Sequence, residues 1–96
     1  MSEKIEVENV NTPGKTTRVD RAKYEAARAA LMAVLPASEP GMTPAEAQRA
    51  MTAHLPDALF PGGDKVGWWM KCVQLDLEAK RVIVRGAKPP VRLWRV

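Results

Sequence analysis

The segment from about Asp64 to Lys80, "DKVGWWMKCVQLDLEAK", most narrows what this chain can fold into. At 100° per residue, Val66, Trp69, Met70, Val73 and Leu77 fall on one stripe of a helix. Trp68, Cys72, Leu75 and Ala79 make a second stripe, offset by well over a quarter turn. Only Gly67, Lys71, Gln74 and Glu78 form a broad polar strip. A helix with two apolar stripes must be covered on two sides. One cover is a helical core. The other is either an N-terminal hairpin of the same chain or another copy of it.

Two more helices precede this one. Asp20 can cap the first, which runs from Arg21 to Leu35 with Tyr24, Ala27, Leu31, Val34 and Leu35 on one face and Pro36 closing it. In "MTPAEAQRAMTAHL", Thr43 is an N-cap, Pro44 takes the first helical position and Glu46 reaches back from the third, a capping box. This second helix runs to about His54 and buries Ala47, Met51 and Leu55. The stretch "PDALFPGGD" then forms a loop anchored by Leu59 and Phe60.

Both ends of the chain read as hairpins. Ile5 and Val7 alternate with Glu6 and Glu8, and "TTRV" alternates again, so residues 4–19 predict a β-hairpin. Its turn is Thr12-Pro13-Gly14-Lys15, with proline and glycine where a type II turn wants them. At the other end, Val82–Arg85 and Val91–Val96 are β-rich runs around Gly86-Ala87-Lys88-Pro89-Pro90. The tandem prolines belong in the loop or at the start of a strand. A length of 96 residues predicts a single domain over 1–96, in which 4–19 is the N-terminal hairpin and 20–96 the core.

Three helices followed by a two-stranded hairpin resemble the winged helix-turn-helix superfamily. The join "LEAKRVIVR", Leu77 to Arg85, carries the likeness best, where a third helix runs through a basic turn into the first wing strand. The fold class expected is therefore α+β and winged-helix-like. One departure is the long connection between the second and third helices, about residues 55–63. Nearly the whole chain is also similar to a small bacterial family of uncharacterised proteins, on "KIEVENVNTPG", "LFPGGDKVGWW" and "VQLDLEAK".

Charge bears on partners. The net charge is +4, yet after Glu78 there is no acid, and Lys80, Arg81, Arg85, Lys88, Arg92 and Arg95 supply six positives. A basic end on a slightly acidic body attracts phosphate backbones, or it keeps an exposed hairpin soluble and its edges unpaired. The winged-helix resemblance implies that the third helix enters a major groove, with Lys71 and Gln74 facing base edges, and that the wing cations meet phosphates. Glu78 on the same polar strip works against that. The expected function is double-stranded DNA binding without catalysis. The alternative is a protein-interaction or homodimerisation module using Trp68, Cys72 and Leu75, with Trp94 of the wing as a neighbour. Plain packing of Trp68 and Trp69 within one core would remove that alternative.

Other chemistries find little support. Gly14-Lys15-Thr16 spells the end of a nucleotide-binding P-loop, but Asn9 stands where its first glycine should be and Pro13 lacks a backbone N–H. A strand comes next where a helix N-terminus is required, so no nucleotide is expected there. His54 and Cys72 are the chain's only histidine and cysteine, and neither lies in a ligand-spaced pair. They read as a half-core histidine and a small hydrophobe. Asp76 and Glu78 lie on different helical faces, and no base–nucleophile pair can be assembled. No cofactor and no metal are expected. The opening "MSEKIEVENV" has acids where a signal peptide would be basic and then apolar, and the apolar runs are far short of a membrane span. A cytoplasmic location and no membrane partner are the corresponding expectations.

Overall fold

The computed structural model describes residues 3–96. β1 (Lys4–Glu8) pairs antiparallel with β2 (Thr16–Asp20), setting Ile5 opposite Val19 and Val7 opposite Thr17. These four residues share one face of the pleat, and Val7 and Val19 are buried. The link folds back on itself: the Asn11 N–H donates to the Asn9 side chain, and the Lys15 N–H donates to the Thr12 carbonyl at 3.2 Å. Gly14 has φ +88°, which its lack of a Cβ permits. The string that resembles a P-loop is thus a turn between two strands.

α1 (Arg21–Val34) starts directly after β2, and the Asp20 carboxylate accepts from the Lys23 N–H at 2.9 Å. It stops at Leu35, whose extended backbone is what a residue before proline adopts. Tyr24, Ala27, Ala30 and Leu31 are buried, and Leu35 is buried as its cap. Val34, expected in the core, is only half-buried. α2 (Pro44–Thr52) has the expected capping box. The Thr43 N–H donates to Glu46 Oε1 at 2.9 Å, and the Glu46 N–H donates to Thr43 Oγ1 at 3.2 Å.

α2 ends sooner than the sequence suggests. Its last turn tightens, with the His54 N–H donating to the Met51 carbonyl, and Pro56 lies just ahead. His54 is therefore outside the helix and exposed, not half-buried in the core. The next loop buries Phe60 and passes a short 3-10 turn, Pro61–Gly63.

α3 (Val66–Ala79) begins two residues later than the sequence suggests, because Lys65 is left-handed at φ +57°. The expected stripe Val66, Trp69, Met70, Val73 and Leu77 is buried throughout. Phe60 and Trp69 meet edge to face at 6.2 Å. At its other end the Arg81 N–H reaches the Glu78 carbonyl and the Val82 N–H reaches the Leu77 carbonyl, with Arg81 at φ +61°. That is a Schellman ending with arginine in the place glycine usually takes.

β3 (Ile83–Arg85) and β4 (Leu93–Arg95) form the second antiparallel hairpin, with Val84 opposite Trp94. The outer edge of β4 is not free. Leu93 exchanges both backbone hydrogen bonds with Met42, at 2.7 and 2.9 Å, and the Arg95 N–H donates to the Pro36 carbonyl. The C-terminal hairpin is thereby fastened to the α1–α2 connection. Gly41 makes this approach possible: a Cβ there would lie 2.3 Å from the Leu93 carbonyl oxygen, and its φ is +79°. Among the described residues the architecture is α+β, with three α-helices and two separate two-stranded sheets. No helix among the described residues is long and apolar enough to cross a membrane.

Candidate functional site

Since α3 presents two apolar stripes, what lies on the second one decides which surface is free. β1 lies along its C-terminal half. The Glu8 N–H donates to Asp76 Oδ1 at 2.8 Å, and the Val10 N–H donates to the Leu75 carbonyl at 3.3 Å. Cys72, Leu75 and Ala79 are consequently half-buried. The hairpin thus covers part of the stripe from within the same chain.

The cover stops short of Trp68, which is 57% exposed while its neighbour Trp69 is 7% exposed. The two indoles meet edge to face, 4.9 Å between centroids, so Trp68 stands braced against a core residue. Between the uncovered helix and the hairpin runs a groove of about 360 Å³. The hairpin lines it with Val7, Thr17 and Val19, and α3 with Trp68, Cys72 and Leu75. Among the described residues, Lys15, at the hairpin turn, and Lys71, on α3, add the only cations, and Glu8 adds the one carboxylate. Burial pushes the Cys72 thiol up to about 11, with the nearby Asp76 charge acting in the same direction. At neutral pH the groove wall therefore holds a thiol and not a thiolate.

Beneath the groove sits the least foreseeable feature of the chain, the fully buried carboxylate of Asp76. It accepts from the Glu8 N–H, from the Tyr24 hydroxyl, and from Lys80 Nζ at 2.9 Å. One side chain on α3 thereby ties together β1, α1 and the last turn of its own helix. Burial raises the pKa of Tyr24 above the ordinary phenol range, and its hydrogen bond to Asp76 raises it further. A sequence signal existed: Asp76 lies three residues after Val73 and seven after Trp69, on a side of the helix the fold has to cover.

The residues expected to meet DNA are differently placed. Gln74, expected at base edges, is 1% exposed, and its amide donates to Glu78 Oε2 at 3.1 Å. Glu78 also takes both prongs of Arg85, at 2.8 and 3.0 Å, and this hydrogen bonding raises the pKa of the guanidinium. Lys80 is paired with Asp76. Arg92 reaches the Gly41 carbonyl and lies 3.8 Å from Glu46, and Arg95 donates to the Leu35 carbonyl at 2.9 Å. Lys71, Arg81 and Lys88 are exposed and in no ion pair among the described residues.

Trp94 is not a neighbour of the Trp68 groove. It lines a separate depression with Glu39, Pro40, Gly86 and Arg92, beside the C-terminal hairpin. The two aromatic positions expected to share an interface therefore lie on different surfaces.

The chain belongs to a family of unknown function, DUF6958, whose model matches residues 4–93. The match takes in both hairpins up to Leu93 and all three helices, so the groove and the Asp76 cluster lie wholly inside the family's span. No curated protein and no solved structure matches the chain.

Proposed function

We propose that this chain is a non-enzymatic protein-interaction domain that takes a short apolar segment of a partner protein into the groove between its N-terminal hairpin and α3. The observation that carries this reading is Trp68, more than half exposed on the wall of an apolar groove. A large, rigid aromatic in that position is the kind of residue that dominates binding energy at interfaces. The hairpin, which covers the rest of the stripe, serves as the opposite wall. The groove volume falls at the low end of small binding pockets, ~300–1,000 Å³, which suits a few side chains.

The test is panning a random dodecapeptide phage library on the immobilised protein, with the Trp68→Ala variant as counter-selection. Expected are clones that bind the natural chain at least tenfold better than the variant. Trp68 keeps less than half of its surface buried and makes one edge-to-face contact with Trp69, worth ~0.5–1.5 kcal/mol beyond that burial, so its removal should cost about 2 kcal/mol of stability. Urea unfolding of the variant confirms that lost binding is not lost folding. A selection in which no clone tells the two proteins apart overturns the reading.

A second reading, a winged-helix domain that binds duplex DNA, draws on the acid-free basic stretch after Glu78 and on the exposed Lys71, Arg81 and Lys88. The internal pairing of Lys80, Arg85 and Arg92 reduces the charge it can offer. Fluorescence anisotropy with a labelled duplex at two salt concentrations tests it. Binding at low salt that Arg81→Glu with Lys88→Glu abolishes would support it, and no binding at low salt removes it.

A further inference from the structure

Resting on the protein-interaction reading, we infer that the segment bound in the groove is acidic as well as apolar, and that Lys15 and Lys71 hold its carboxylates. The two lysines reach the groove from different elements, one from the hairpin turn and one from α3, so a bound segment meets positive charge from both walls. Neither is in an ion pair among the described residues. At the basic C-terminal end, by comparison, Lys80, Arg85 and Arg92 already have carboxylate partners, and Arg81 and Lys88, unpaired among the described residues, lie outside the apolar groove that holds the exposed tryptophan. At the groove, two cations face the single carboxylate of Glu8, whose own backbone N–H is committed to Asp76.

The geometry also separates the two kinds of contact. Apolar lining comes from Val7, Val19, Trp68 and Leu75, while Lys71 stands one helical turn along from Trp68 on the exposed side of α3. A segment with an aromatic or branched anchor and an acid within a few residues satisfies both at once. The lysines set the choice of partner and the rate of encounter more than the affinity, because exposed charges contribute modestly and are screened by salt.

The test uses the same dodecapeptide library on the natural chain and on the Lys15→Glu/Lys71→Glu variant. From the natural chain, clones should carry Asp or Glu within about three residues of an apolar anchor. From the charge-reversed variant, Lys or Arg should take that place. Synthetic copies of the acidic clones should bind the variant roughly tenfold more weakly at low salt, with the difference shrinking in concentrated salt. Clones that depend on Trp68 but show no acidic preference, or that bind the charge-reversed variant equally well, overturn the acidic assignment while leaving the interaction reading in place. Sedimentation velocity supplies the other decisive outcome. A natural chain that dimerises and a Trp68→Ala variant that does not would give the groove to a second copy and overturn the acidic partner.

Discussion

Replacing Asp76 with alanine removes the one acceptor shared by β1, α1 and α3. Three donors lose their partner, at unequal cost. The Tyr24 hydroxyl is buried, and the Glu8 N–H is partly so, so each is left unpaired at a cost of about 1–3 kcal/mol. Lys80 is 40% exposed at its side chain and returns to water, contributing little. Part of the loss is offset because a buried carboxylate no longer has to be desolvated. The net expectation is a loss of about 3 kcal/mol, a large share of the ~5–15 kcal/mol that holds a typical domain together.

Tyr24→Phe removes a single hydrogen bond to a charged group and should cost about 1.5–3 kcal/mol. Since both substitutions act on the same contact, the double variant should be more stable than the sum of the singles predicts, by more than the ~0.5 kcal/mol that independent sites show. Urea unfolding monitored by tryptophan fluorescence measures all three. Hydrogen exchange at the Glu8 amide should quicken in Asp76→Ala. A loss below about 1 kcal/mol, or strict additivity with Tyr24→Phe, would refute the idea that this carboxylate clamps the hairpin to the helices.

The backbone and the shifted groups carry further expected outcomes. Arg81→Gly should stabilise the chain by about 0.5–1 kcal/mol in thermal or urea unfolding, because glycine takes φ +61° without the strain an arginine carries there. Gly41→Ala should destabilise by roughly 2 kcal/mol or more, since the new Cβ meets the Leu93 carbonyl oxygen in addition to the backbone strain. Gly14→Ala, with open space around it, should cost only about 1 kcal/mol. Tyr24 and Cys72 both hold their protons more tightly when folded. Their stabilisation is fully present below pH 9, the unfolded thiol's value, and is lost as pH rises through about 11 at Cys72, with Tyr24 titrating higher. Urea midpoints that stay level across that window would contradict it.

Local chemistry makes much of this fold readable from the residues. The Asp20 cap, the Thr43–Glu46 box and the Pro13-Gly14 turn each act over about four residues, so their partners sit in the same stretch of sequence. The stripe from Val66 to Leu77 is readable because helical period alone selects it. The hidden part depends on distant segments meeting. Asp76 finds two of its three partners 52 and 68 residues away, and nothing around it in sequence announces those two. Gln74 looks like a surface residue until Glu78, itself held by Arg85, offers it a partner. The basic end shows the same limit: its total charge is visible in the sequence, but how much of it is already neutralised depends on the tertiary pairing. His54 departs from expectation for a smaller reason, a helix that ends about two residues early.

β2 ends at Asp20 and α1 begins at Arg21, and the Arg21 N–H still donates to the Glu3 carbonyl at 2.9 Å. With no linker there, the strand ladder runs into the helix as one rigid corner. That leaves no flexible residues at this point about which the hairpin wall could hinge. With β1 also held to Asp76 through the Glu8 N–H, the groove proposed as a binding site would keep a nearly fixed width. Such a slot rejects anchors by size and exacts little reorganisation from the protein when one fits, so recognition there would be of the lock-and-key kind.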